Sequence, residues 1–232
     1  MRLPDDVRRQ LLWLHEESPS APVAFDADGT LWRGDIGEDF LRYLAAEDLL
    51  PKARGQKGVY AEYERRVAQD PADAYAYAVE VMEGVVEAEL DQWCDAFYQR
   101  RFEGRLFTWV RPLLEALQAR GHPVWIVSAS PLWPVRAGAK ALGVPASCVG
   151  GVQCPVKEGR LTGAVDTPVP CGDGKVHWLR AHGVKPALAF GNGDLDEPML
   201  EYAHRAVVVA PPGEDNDLCH AAKAKGWPIL RC

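Results

Sequence analysis

Four short apolar runs constrain the fold of this chain more than any other feature: Val23–Phe25, Val124–Val127, Ala187–Phe190 and Ala206–Val209. Turn residues and then a helical pattern follow them, as expected of strands buried on both faces of a parallel sheet. Helical segments Leu132–Leu142 and Lys175–His182 lie between the last three runs, closed by Gly143 and Gly183. Pro112–Arg120, closed by Gly121, leads into the second run in the same way. Glycine stands at each place where a left-handed cap ends a helix. Strand and helix in alternation predict an α/β chain with a Rossmann-like parallel-sheet core.

The stretch from Ile36 to Phe102 breaks that alternation. It is rich in Ala, Glu and aromatic residues, and it has helical periodicity without a strand. Leu41, Leu44, Leu49 and Leu50 form one stripe, Tyr60, Tyr63 and Val67 another, and Val85, Leu90, Trp93 and Phe97 a third. The pattern predicts about four helices, inserted between the first and second core strands. We therefore expect a core of residues 1–34 and 103–232 and a helical subdomain at 35–102. Val152–Val165 departs again, alternating about Glu158-Gly159, and predicts a β-hairpin.

Charge and composition narrow the function. The chain carries 33 acidic and 26 basic residues, a formal net charge of −7. No basic excess exists to displace counterions from a nucleic acid or to hold an anionic membrane surface. No apolar run approaches the ~20 residues that span a bilayer. The N-terminal segment MRLPDDVRRQLLWLHEES mixes charges into its apolar positions, unlike a signal peptide. The six cysteines include no C-x-x-C pair, which gives a zinc site little support and fits reduced thiols. The expectation is a cytoplasmic protein that handles a small molecule.

The segment VAFDADGTLW carries the chemistry. An apolar strand ends in Asp26, Ala27, Asp28, Gly29 and Thr30, so two carboxylates stand two residues apart where the chain leaves the sheet. Side chains at i and i+2 of extended backbone face the same way, and the carboxyl ends of such strands are where ligands bind. Gly29 allows a sharp turn whose N–H groups make an anion nest. A calcium loop would need Glu at its twelfth position, which here is Gly37. A second strand end, VWIVSAS, presents Ser128 and the N–H of Ala129 ahead of a helix, a place suited to a phosphate oxygen. A third, LAFGNGDLDEPML, gathers Asn192, Asp194 and Asp196, hard oxygen donors suited to Mg²⁺. Just before it, GDGKVHWL sets Lys175 near a helix start. Val169 and Val176 stand where a phosphate-binding Walker loop needs Gly and Ser or Thr, which excludes that loop.

In this order, DxDGT, Ser, Lys and an acidic Gly-rich turn, the chain resembles the haloacid dehalogenase (HAD) superfamily of phosphohydrolases, and within it the phosphoserine-phosphatase-like branch. IVSASPLWPVRAGAKALGV and VKEGRLTGAV are similar to patterns of that branch, and the resemblance runs from Val23 to Val209. It implies the HAD fold, with the helical insert as cap, and a Mg²⁺-dependent phosphomonoesterase that works through an aspartyl-phosphate. Carried over by position, Asp26 corresponds to the nucleophile, Asp28 to the general acid and base, and Lys175 to the charge-neutralising lysine. Ser128, Ala129 and Gly29 correspond to the phosphate cradle. Asp26, Asp28, Asn192 and Asp196 correspond to the metal site. Asn192 departs from the pattern, since the family usually has Asp there. An amide oxygen still ligates Mg²⁺ but brings no charge, and Asp194 stands near enough in sequence to compensate.

For the substrate, the resemblance points to a small phosphorylated metabolite of phosphoserine type. The acidic residue nine positions past the nucleophile is Asp35, shorter than the usual Glu, and cap arginines Arg65 and Arg66 are candidates for a substrate carboxylate. Trp32, expected near the pocket mouth, would suit a bulkier ammonium head such as phosphocholine. A catalytically weak binding protein is the alternative of a different class, because Asn192 replaces a metal carboxylate. A dehalogenase fits less well, since it needs neither Asp28 nor the metal cluster. The substrate and the oligomeric state stay open at this point.

Overall fold

The structure, a computed structural model, describes residues 3–232. Helix α1 (Asp5–Glu17) precedes strand β1 (Val23–Phe25), and four helices follow: α2 (Ile36–Ala46), α3 (Val59–Val67), α4 (Pro71–Glu80) and α5 (Glu87–Arg101). Then come α6 (Val110–Ala119), β2 (Val124–Pro131), α7 (Leu132–Ala141), β3 (Val149–Val152), β4 (Val156–Lys157) and β5 (Arg160–Leu161). The chain ends with α8 (Asp173–Ala181), β6 (Leu188–Gly191), α9 (Glu197–Tyr202), β7 (Arg205–Ala210), α10 (Asp217–Lys225) and β8 (Ile229–Arg231).

Six strands form one parallel sheet in the order β3-β2-β1-β6-β7-β8. Strand β1, only three residues long and wholly buried, sits inside it, with Phe25 opposite Ile126 of β2 and Phe190 of β6. Alternate strand residues feed two cores. Val23, Phe25, Ile126 and Phe190 face one side, and Ala24, Val127, Ala189 and Val208 the other. The rings of Phe25 and Phe190 stack at 4.6 Å. The sequence predicts all four of these inner strands to within a few residues, except at the end of β2. That strand runs on to Pro131 through a shift of register: Val127 pairs with Gly150, but Pro131 with Val152. The extra residues bulge, and a bulge re-aims side chains; Ser128, Ala129 and Ser130 lie on it.

Helices α2–α5 fill the interval between β1 and β2. Helix α3 packs on α4, α5 packs on α7, and α2 and α4 reach β2. The predicted hairpin is narrower than its pattern. Only Val156–Leu161 pairs, turning at Glu158 and Gly159, both with positive φ as a type I′ turn requires. Val152 belongs to the sheet. The hairpin also clips the helical insert, since Gly84 N donates to Leu161 O (2.8 Å) and Leu161 N to Val85 O (2.9 Å). Helix α8 starts two residues ahead of its predicted start, after Gly172 at φ 54°, and Asp173 in its first turn complements the helix dipole. Among the described residues no helix is long and apolar enough to cross a membrane.

Candidate active site

The sheet changes direction of winding at β1: β2 and β3 lie on one side, β6, β7 and β8 on the other. A switch point of this kind opens a crevice at the carboxyl ends of the strands. A cavity of about 300 Å³ occupies it here. Asp26 and Asp28 reach it from the end of β1, Ser128, Ala129 and Ser130 from the bulge of β2, Asn192–Asp196 from the loop after β6, and Lys175 from the first turn of α8.

Asp26 is fixed by its own N–H, which donates to Phe190 O at 2.9 Å. The buried Lys175 Nζ donates to Asp26 Oδ1 and to Asp196 Oδ1, each at 2.6 Å. Asp196 Oδ2 accepts from the N–H groups of Asn192 (2.8 Å) and Gly193 (3.1 Å), which closes the loop on its own carboxylate. Burial, and then the charge of Asp196, push the Asp26 carboxyl up to about 6 against the pull of Lys175. It therefore stays mostly ionised at neutral pH. Burial alone would lower Lys175, but Asp196 and Asp26 more than offset it and raise its pKa, so the ammonium is charged.

Asp28 lives in a different setting. Its Oδ1 accepts from the Trp32 indole N–H (2.7 Å) and from Ile36 N (2.7 Å), and its Oδ2 meets Ser130 Oγ at 2.6 Å. Burial, with Asp35 adding to it, lifts its pKa well above the usual carboxylate range. The two N–H groups only donate, whereas a hydroxyl also accepts. A proton on Asp28 therefore belongs on Oδ2, shared with Ser130. The turn that sets both carboxylates needs Gly29, at φ 73°: a Cβ there would lie 2.3 Å from the Asn192 amide. Such a position admits little else.

Asn192 faces three oxygens. The amide atom nearest them is 3.0 Å from Asp26 Oδ2, 2.8 Å from the Asp28 main-chain O and 3.0 Å from Thr30 Oγ1. With nitrogen there, the two N–H bonds of the amide are shared among the three. With oxygen there, one carboxylate, one carbonyl and one amide oxygen converge, an arrangement that a hard cation between them would balance. Among the described residues the carboxylates Asp26, Asp28, Asp35, Asp194 and Asp196 line the cavity against Lys175 alone. A phosphate dianion would meet net negative charge there unless a cation joined it. The residues present therefore fit Mg²⁺, though not with the donor set expected from sequence. Asp28 offers its main-chain oxygen, because its carboxyl is turned to Trp32, Ile36 and Ser130. Asp196 has both oxygens engaged by Lys175 and the loop N–H groups, so it positions the site instead of facing the cation. Among the described residues no three His, Cys, Asp or Glu side chains are grouped to hold a metal.

The remaining residues divide. Ser128 is buried, and its Oγ accepts from Ser130 N (3.0 Å), so the bulge is tied as a tight turn. Ala129 lines the cavity beside it. Asp35 caps α2, accepting from Glu38 N at 2.7 Å, and also faces the cavity. Arg65 does not come near: it points outward from α3, held by Glu62 and Gln69. Arg66 pairs with Glu62 and Asp73 over the ring of Tyr77. Both are solvated partners of helix acids, which i,i+3 and i,i+4 spacing favours. Trp32 is not at the mouth either. It is fully buried between Tyr98 and Phe102 and acts through its N–H on Asp28. Ser130 and Tyr75 line the cavity and were not singled out by sequence. Ser130 was legible in the SAS string had the bulge been foreseen; Tyr75 sits on a helix whose docking the sequence does not reveal.

Residues 23–201 match the model of the haloacid dehalogenase-like hydrolases. The chain belongs to that family and is a hydrolase of it. Its similarities gather in the phosphoserine-phosphatase-like branch. It is 26% identical over 221 residues to a phosphoserine phosphatase of Mycobacterium tuberculosis, covering 90% of this chain and 70% of that protein. It is 28% identical over 214 residues to a phosphoserine phosphatase of Halobacterium salinarum, covering 87% and 92%. A Bordetella pertussis protein of unknown function shares the fold at a TM-score of 0.78 and 19% identity, over 92% of this chain and 99% of that one.

Proposed function

We propose that the protein is a Mg²⁺-dependent phosphomonoesterase that acts on a small phosphorylated metabolite through an aspartyl-phosphate at Asp26. One observation carries the reading. Two carboxylates leave β1 side by side, one held by the Lys175 ammonium and the other by the Ser130 hydroxyl, and burial lifts the second well above the usual carboxylate range. Carboxylates separated in this way take separate roles.

The chemistry follows from the atoms. An Asp26 carboxylate oxygen attacks phosphorus while the ester P–O bond breaks. The leaving alkoxide takes the proton of Asp28 Oδ2, and Ser130 keeps that proton in place until then. Asp28, now ionised, removes a proton from a water that attacks the phosphoryl group, releasing inorganic phosphate and regenerating Asp26. Lys175 neutralises Asp26 and Asp196, so that the phosphate meets less repulsion. Asp26, the Asp28 main-chain oxygen and Asn192 would hold Mg²⁺, which supplies charge compensation for the phosphate. Ser128 and the N–H groups of the bulge would receive a phosphate oxygen.

Residues 35–102 act as a cap over this core, and Asp35 and Tyr75 bring the insert to the cavity wall. The six cysteines are all unpaired, which supports a reducing cytoplasmic setting. Release of phosphate from p-nitrophenyl phosphate tests the reading. It should need Mg²⁺, stop with a chelator, and vanish in Asp26→Asn. Wild-type turnover that persists in the chelator overturns the metal requirement. Turnover that survives in Asp26→Asn overturns the role of Asp26.

A further inference from the structure

The cavity at the carboxylates shares Asp35 and Tyr75 with a second cavity of about 400 Å³ beneath α3 and α4. What lines this second space is chemically one-sided. Tyr60 and Tyr63 stack at 6.1 Å, Tyr63 is buried, and Tyr75 lines both this space and the cavity at Asp28. Glu38 meets the Tyr60 hydroxyl, and Asp35 stands at the junction of the two cavities. Among the described residues no Lys or Arg lines it.

Among the described residues the neighbouring cations already have acidic partners. Lys175 lies between Asp26 and Asp196. Arg42 stacks on the ring of Tyr60 and pairs with Glu38, at the rim of the same space. Arg65 and Arg66 point away on Glu62. Tyrosine faces joined to carboxylates attract a cation, and the attraction grows as the site dries. A carboxylate placed beside Asp35 would meet a half-buried acid that no Lys or Arg pairs among the described residues, which like-charge repulsion disfavours. Burial already raises the Asp35 carboxyl above its ordinary pKa, so its charge is under-compensated and a cation beside it would relieve that.

We propose that the alcohol half of the substrate carries a cationic nitrogen, an ammonium or methylated ammonium, and no carboxylate, with the nitrogen seated among Tyr63, Tyr75 and Asp35. The inference rests on the phosphatase reading and narrows it. A phosphorylated amino alcohol fits, whereas phosphoserine brings a carboxylate for which the pocket has no partner.

The test compares kcat/KM of the Mg²⁺-loaded wild-type enzyme for phosphocholine, phosphoethanolamine, phosphoserine, and the neutral dimethylbutyl phosphate in which carbon replaces the choline nitrogen. p-Nitrophenyl phosphate serves as the control for phosphatase activity. A cationic ester should exceed the neutral isostere by about tenfold or more, as a partly dried cation–π site allows, and phosphoethanolamine should exceed phosphoserine. Tyr75→Leu should narrow the cation-to-neutral ratio and Tyr75→Phe should keep it, because phenylalanine retains the ring face that a merely structural role would not need. If the control ester turns over but the neutral isostere matches phosphocholine, or phosphoserine is preferred, this inference is overturned while the phosphatase reading stands. If no ester turns over, both fall.

Discussion

Lys175→Met removes the only cation that the described residues place among the buried carboxylates and keeps the length of the side chain. Lys175 Nζ lies 2.6 Å from both Asp26 and Asp196, and its side chain is 2% exposed. Breaking a buried pair by deleting one partner costs about 3–5 kcal/mol, because it leaves charge without compensation. At ~2–4 °C per kcal/mol for a domain of this size, the melting temperature should drop by about 6–20 °C. The acids have a route of relief. Without Lys175 the folded-state pKa of Asp26, already raised to about 6, rises further above the unfolded one, so protonation favours the folded form, and the loss should shrink as pH falls from 8 toward 5. Asp196→Asn in the same chain should restore part of the stability, and a double-mutant cycle should give a coupling of about 1–3 kcal/mol between positions 175 and 196. Denaturant melts with a chelator present, at several pH values, supply these numbers; the chelator keeps any cation from standing in for the lysine. A loss below ~1 kcal/mol at neutral pH, the range of an exposed pair, together with no pH trend, would refute the picture of a dry, lysine-bridged triad.

Ser130→Ala leaves Asp28 Oδ2 without its hydroxyl partner, a loss of about 1–1.5 kcal/mol, so kcat for alkyl phosphates should fall roughly tenfold by that figure and less for aryl phosphates; equal losses on both would count against Asp28 as the proton donor. Asn192→Asp adds a carboxylate where three oxygens meet, and the Mg²⁺ concentration for half-maximal activity should fall by about tenfold if the added charge acts as a partly screened pair; an unchanged or higher value in the metal titration would show that Asn192 works as a hydrogen-bond donor to Asp26 instead. His15, in contact with His122 (3.0 Å) and Arg120 (2.7 Å), is held below its ordinary value of 6.5 by burial and by those two charges. Its contribution is therefore complete above pH 6.5 and lost as pH falls through the lower folded value. Melting temperatures from pH 8 to 5 should converge with those of His15→Gln at the acid end, and parallel curves would contradict the assignment.

Much of this was legible in the chain itself. The inner strands are short and uniformly apolar because β1, β2, β6 and β7 are covered on both faces, and the caps at Gly121, Gly143 and Gly183 punctuate the helices between them. Strand β3 was not, because its sequence is VGGV. Gly150 lies against Trp178 and Gly151 against the backbone at Ser130 and Leu132, so close approach replaces the apolar signal. Strand β8 is three residues at the sheet edge, too short for a pattern. Asp26, Asp28, Lys175 and Asn192 could be placed because each stands at a strand or helix end. The direction each carboxylate faces could not, since it depends on Ser130 and Trp32 arriving from the bulge of β2 and the turn after β1. Arg65 failed for a similar reason. Helical spacing fixes which acids it can reach on its own helix, and Glu62 claims it, but only tertiary packing shows that Tyr75 lines the crevice and that Tyr63 lines the cavity beside it.

The central claim is that phosphoryl transfer passes through the Asp26 carboxylate, and rapid-quench mass spectrometry tests it most directly. Enzyme mixed with Mg²⁺ and an excess of p-nitrophenyl phosphate is stopped with acid during turnover, digested and mapped. The account predicts one added phosphoryl group on the peptide carrying Asp26, removable by hydroxylamine as an acyl phosphate is, and absent from Asp26→Asn. Turnover with that peptide unmodified throughout, or with the phosphoryl group on a different side chain, would contradict it.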